Sequence, residues 1–251
     1  MIKKTLFYIL IFVVSFSVFL ISTLPASLLW EKVLQQELKN SVAGLDVSSV
    51  RGTVWQGEAL VRYKSLAMVV DWDVELSGLF AFTLPTSIEI NGQAGSISLS
   101  VVLGLSQVAL MVDKAEIELS HLTPLVKSKR VSLDGKLILK DILLLVEGQQ
   151  IVSLSGVGSW TGGDIAYPAG RQLHERNLPV FKMLAETNDD GLVHVGVRDS
   201  DANFDVIDVS LDKTGEAMVK VARRLLDLAD EEWPKNSKET DIVFKVKKVI
   251  Y

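Results

Sequence analysis

The sequence has no cysteine among its 251 residues. Disulfide frameworks, thiolate metal sites and cysteine nucleophiles are therefore excluded, while an oxidising compartment is left unproblematic. Histidine is scarce. His121, His174 and His194 lie far apart, none has a partner at metal-ligand spacing, and HExxH is absent. A metal site assembled in space is left as the minor alternative. Positive charge is not in excess, with 26 Lys and Arg against 31 Asp and Glu. Without residues 1–24, whose only charges are Lys3 and Lys4, the balance becomes −7. Nucleic acid is a poor partner for such a chain, because neutralised phosphates supply most of that affinity. A composition that is 48% hydrophobic and 23% charged also excludes disordered and low-complexity classes.

Motifs for chemistry are missing as well. Gly52 to Gly57 has two glycines of a phosphate loop, but Glu58 and Ala59 stand where Lys and Ser or Thr are required. Gly156 and Gly158 begin like a dinucleotide fingerprint, yet the third glycine is misplaced at Gly162 and strands follow. There is no GxSxG elbow. The run Asp199-Ser200-Asp201-Ala202-Asn203-Phe204-Asp205 starts like a calcium loop. It fails at Phe204, in the glycine position, and at Ser210, in the position of the bidentate glutamate. A polar hairpin tip is the expected structure there. No catalytic, cofactor-binding or metal-binding residue is assigned; a non-enzyme without a cofactor is expected.

What is present begins with an apolar run. Thr5 to Trp30 carries no charge for 26 residues. A helix over 5–24 is long enough to span a hydrocarbon core of ~30 Å, with its Ser and Thr hydroxyls bonded back to helix carbonyls. Lys3 and Lys4 precede it, which keeps the N-terminus in the cytoplasm and sends residues 26–251 across. A cleaved signal peptide is the competing reading. Its apolar region would be ~7–15 residues with small residues at the cleavage site. The longer run here, ending Leu24-Pro25-Ala26, favours an uncleaved anchor. The expected division is 1–25, tip and transmembrane anchor, and 26–251, a β-rich domain. Leu29, Trp30, Val33, Leu34 and Leu38 predict a short amphipathic helix over 27–39, with Trp30 at headgroup level or packed on the domain.

From Leu45 to about Tyr167 the apolar period is two. Ile88 to Val101 predicts a hairpin turning at Asn91-Gly92, and Val131 to Leu139 a second at Asp134-Gly135. Val108 to Leu119 and Ile142 to Glu147 are further strands. Thr123-Pro124 opens a short helical or turn connection to Arg130. Val180 to Glu186 and Leu192 to Val197 flank a turn at 188–191. Asn203 to Leu211 and 241–251 are strands, and residues 215–232 are predicted to form one helix with Met218, Val221, Leu225 and Leu228 as its stripe. The sum is a mainly antiparallel β fold of roughly ten strands with one late helix. Trp55, Trp72 and Trp160 are expected in strands as core residues. Gly52 to Gly57 and Gly156 to Gly162 echo each other, either as a duplicated strand-bend unit or by chance. A filled core and an apolar groove fit this pattern equally.

The order of these features resembles the type II secretion system protein N family: a basic N-terminus, an anchor ending Leu24-Pro25-Ala26, a short helix, and the stretch Val50-Arg51-Gly52-Thr53-Val54-Trp55-Gln56-Gly57-Glu58-Ala59. Asp71-Trp72-Asp73 and Leu154-Ser155-Gly156 through Trp160-Thr161-Gly162 follow. The resemblance implies a bitopic inner-membrane protein of Gram-negative bacteria with its bulk in the periplasm. It would be a non-enzymatic accessory in export of folded proteins through an outer-membrane secretin. Its partners would be the inner membrane and other type II secretion components. The family is also similar to envelope proteins of the AsmA type, which implies the alternative of a lipid-handling protein holding acyl chains on an apolar β surface.

Overall fold

Alternation at period two governs most of the molecule. The computed structural model describes residues 2–34, 43–125, 131–148, 150–169, 172–233 and 236–249. Helix α1 (Ile2–Ser22) opens the chain. Its 21 residues reach about 31 Å at 1.5 Å per residue. Ser17 Oγ donates to the Val13 carbonyl and Thr23 Oγ1 to that of Phe19, both at 2.8 Å, so these hydroxyls are satisfied inside the helix. Side chains at 2–6, 14 and 18 fall outside the described set. Among the described residues no helix is long and apolar enough to cross a membrane. Pro25 breaks the chain, and α2 (Ala26–Leu29) continues as a single π turn over Trp30–Leu34. Within the stretch 27–39, predicted as an amphipathic helix, the backbone is helical to Leu34; the remainder lies outside the described residues.

Sixteen strands follow. The first eight are β1 (Leu45–Gly52), β2 (Gln56–Tyr63), β3 (Leu66–Val74), β4 (Leu84–Gly92), β5 (Gly95–Leu103), β6 (Gln107–Glu118), β7 (Ser132–Leu133) and β8 (Lys136–Glu147). The others are β9 (Gln150–Trp160), β10 (Gly163–Ala169), β11 (Gln172–Leu178), β12 (Phe181–Thr187), β13 (Val193–Asp199), β14 (Ile207–Leu211), β15 (Glu216–Ala222) and β16 (Ile242–Val249). Thirteen form one sheet in the order β1-β2-β3-β4-β5-β6-β8-β9-β12-β13-β14-β15-β16, and β11-β10-β7 form a small second sheet. Every pairing is antiparallel, as expected for a chain built from hairpins.

Register places apolar residues on one face. Val61 pairs with Met68, Val70 with Ile90, Ile90 with Ile97, and Ile97 with Ala115. Glu58, Ser87, Glu89 and Asn91 are exposed on the opposite face, while Val61, Val70, Ile88 and Ile90 are half-buried. The second half is closed more completely. Trp160 and Phe181 stack with ring centroids 5.8 Å apart, and Leu178, Val206 and Ala229 complete a buried cluster. Leu225 and Leu228 from the late helix α3 (Arg223–Leu228) and Ile165 from β10 pack against it.

Several expected boundaries move. The first hairpin turns at Gln93-Ala94, because Gly92 pairs with Gly95 and Asn91 with Ser96. Asp134-Gly135 is not a hairpin turn. There the chain leaves β7, which pairs with β10, and enters β8, which pairs with β6 and β9. Residues 119–125 form a 3-10 turn; 126–130 are outside the described residues. The turn after β12 is where it was expected, closing with Thr187 opposite Val193. Strand β14 starts only at Ile207; Val206 just before it still donates to the Val197 carbonyl and accepts from Ala222 N, and it is fully buried.

The predicted helix over 215–232 is the largest correction. Residues 216–222 are strand β15, and only 223–228 are helical. Alternating Ala217, Val219 and Val221 face β14 and β16 in register, and β-branched residues suit that setting better than a helix. Tertiary pairing overrides the helical spacing of Met218, Val221 and Leu225.

Candidate functional site

The stretch Gly52-Thr53-Val54-Trp55-Gln56-Gly57 is the turn between β1 and β2, and it clasps the end of α1. Trp55 lies in this turn and not in a strand. Its indole Nε1 donates to the Ile21 carbonyl at 2.8 Å, satisfying one of the last helix carbonyls. Val54 N donates to the Leu24 carbonyl at 3.0 Å, and Pro25 forms an isolated bridge with Thr53. Thr53 Oγ1 accepts from Trp55 N and Gln56 N, and the Thr53 carbonyl accepts from Trp72 Nε1 at 3.3 Å. Gly57 is required here because a Cβ would meet the Trp72 ring at 2.5 Å. The two tryptophans expected to be core residues at this end are half-buried fasteners; Trp160 alone is a buried core ring. Its segment ends a strand, whereas the Trp55 segment is a turn, so the two similar sequences are not a repeated structural unit. Gly156 answers a different need, since a Cβ there would strike Ile142 at the irregularity between Lys140 and Leu143.

Beside the clasp, α2 lies over the apolar face of β1 to β4. Ala26, Leu29 and Trp30 from the helix side, and Val47, Val61, Val70 and Ile88 from the strands, line a groove of about 550 Å³. No charged residue is among those lining it. A second apolar cavity of about 150 Å³, lined by Met68, Ile90, Ile97, Ile117 and Leu122, lies on the same face further along the strands. The alternation had marked these residues as one face. What it had not marked is that this end of the sheet lacks a second layer: no helix of sheet length lies between β2 and β8 among the described residues. The signal in the sequence was the absence of an amphipathic helical stretch in that interval.

The far half carries charged networks instead. The Asp199 carboxylate is buried, and its Oδ2 accepts from Arg224 Nε at 3.2 Å and Nη2 at 2.9 Å. The acidic run 199–205 is therefore not only a polar tip, because its first residue anchors α3 to β13. His194, Asp205 and Asp208 bring one ligand atom each within 4.8 Å of one another. His194 Nε2 lies 2.7 Å from Asp208 Oδ2. Arg198 bonds Asp205 at 2.6 Å and Lys220 reaches Asp208 at 3.3 Å, so both carboxylates already hold a cation from the protein. Burial pushes the Asp208 carboxyl up, but the hydrogen bonds from His194 and Lys220 outweigh it and leave it below the ordinary value. On the small sheet, Tyr167 Oη and His174 Nδ1 both meet Glu231 Oε1, at 2.5 and 2.6 Å. Burial, then the bond to Glu231, pushes the Tyr167 phenol up to about 12. That group is a latch between β10–β11 and the end of α3. His121 joins neither cluster.

The geometry defines a class: an open antiparallel β protein clasped to the end of an apolar N-terminal helix, with no nucleophile–base pair among the interactions above. A sequence model of the type II secretion system protein N family matches residues 43–230, about three quarters of the chain. The chain belongs to that family. No curated protein and no solved structure matches it.

Proposed function

We propose that the protein is an accessory, non-enzymatic inner-membrane component of a type II secretion system that assists export of folded proteins across the outer membrane. Membership of the protein N family is the observation that carries this reading. In it, residues 1–25 form the cytoplasmic tip and anchor, and 26–251 the periplasmic β-rich domain. The internally bonded hydroxyls of α1 and its exposed Phe12, Phe16 and Phe19 support the anchor. Lys3 and Lys4 support the cytoplasmic N-terminus.

Contacts with other secretion components would use the edge strand β16. Ile242, Phe244 and Val246 are exposed on it, and Lys245 and Lys248 carry no ion pair among the described residues. Lysine on an edge opposes pairing with another copy and admits an acidic strand by augmentation. The test is deletion of the gene in its host, with complementation by the full chain. Deletion should lower the secreted proteins in the medium and leave them folded in the periplasm. Unchanged secretion would contradict the proposal. A cytoplasm-only reporter active when fused after Tyr251 would contradict the topology alone.

The alternative of lipid handling has one observation in its favour, the uncharged groove beneath α2. It does not exclude the secretion role, since groove and edge strand lie at opposite ends of the sheet.

A further inference from the structure

We propose that the groove between α2 and β1 to β4 binds an acyl chain of a membrane lipid. The inference rests on the reading of α1 as a membrane anchor and adds a ligand to it.

The lining sets the chemistry. At about 550 Å³ the groove is in the range of small-molecule sites, and Thr86 is the one hydroxyl residue lining it. The indole Nε1 of Trp72 is already bonded to the Thr53 carbonyl. A polar ligand would lose its hydrogen bonds to water there and regain almost none. A hydrocarbon chain loses nothing, and a charged headgroup stays at the mouth.

The position selects a lipid over a protein helix. Ala26 and Leu29 line the groove two and five residues after Leu24, where α1 has just ended. The clasp at Trp55 and Val54 fixes that end against the sheet. Phe19, Leu20, Ile21, Leu24 and Leu29 are all exposed, so the end of α1 and the segment leading to the groove both present apolar side chains. The second cavity extends the site along the same face, from Thr86 to Gly92 on β4. The six residue steps of strand between them span about 20 Å, a length suited to an extended acyl chain.

The test uses the full chain in vesicles of phosphatidylethanolamine and phosphatidylglycerol. A fraction of the phosphatidylethanolamine carries a diazirine near the end of its acyl chain. After irradiation, adducts are mapped by mass spectrometry. They are expected on α1 and also on the peptides holding Val61, Val70 and Ile88. Val70→Glu should reduce the groove adducts roughly tenfold and leave those on α1 unchanged, because a buried carboxylate opposes an apolar ligand. Val61→Phe, which fills the groove without charging it, should act in the same direction if Val70→Glu fails to fold. Adducts on α1 alone would overturn the site and leave the anchor standing. Adducts on neither would remove the anchor reading itself. Groove adducts that survive both variants would also overturn the proposal.

Discussion

The two halves of the large sheet solve the same problem differently. From β1 to β8 the apolar face is half-buried, and its fully buried hydrophobics are small apart from Leu66: Ala59 and Ala115. From β9 to β16 the buried set includes Trp160, Phe181, Leu178 and Val206, packed against by α3 and the small sheet. Ion pairs divide in the same way. Arg51–Glu58 in the first half joins exposed groups, whereas Asp199–Arg224 in the second ends on a carboxylate with 1% exposure. The first half keeps an apolar surface available, and the second spends its apolar surface on a core. The sheet tolerates both, because each strand is held chiefly by antiparallel pairing with the strands beside it.

Substitutions sharpen that contrast. Trp160→Ala removes the ring stacked on Phe181 and should cost ~3–5 kcal/mol in urea unfolding. A cost near zero would show that the second half has no core. Asp199→Ala leaves Arg224 without its main partner and should cost about 3 kcal/mol, at the lower end for a buried pair because Arg224 is partly exposed. Equal stability of wild type and variant would mean that the pair is not formed in solution. Val206→Ala, at a site with 0% exposure, should cost about 2 kcal/mol. Val61→Ala in the open half should cost less than about 1 kcal/mol in the absence of lipid. Similar values for the two would erase the distinction between the halves.

The smallest effect concerns pH. Asp208 is held below its ordinary value, so its contribution is present above about pH 4 and is lost as pH falls through its lowered folded value. Asp208→Asn should therefore make the fall in stability below pH 4 shallower while leaving the neutral-to-alkaline limb unchanged. An unchanged acid limb in denaturation curves taken across that range would refute this role.

Much of the architecture was legible in the residues. Strict alternation around Ile88-Glu89-Ile90 gave strands, and Asn188 to Gly191 gave a turn closed by backbone bonds from Asn188 N to the Leu192 carbonyl. The misreadings have one cause: local spacing was ambiguous and long-range pairing decided. Met218 and Val221 fit a helical stripe as well as a strand until β14 and β16 claim them. Asp134-Gly135 reads as a hairpin until β7 joins a different sheet. The groove was half legible. Its residues stood out as one apolar face, but whether a second layer covers a face depends on elements distant in sequence. The fastening role of Trp55 was hidden for the same reason, since its acceptor is Ile21, 34 positions earlier.

The central claim is that one sheet offers lipid contact at its open end and protein contact at its far edge. Photoreactive residues placed at Ile88 and at Lys245, one per variant, test this in living cells carrying the whole secretion machine. The account predicts lipid adducts and no protein adducts from Ile88, and protein adducts with secretion components from Lys245. Protein adducts from Ile88, or none from Lys245, would contradict it.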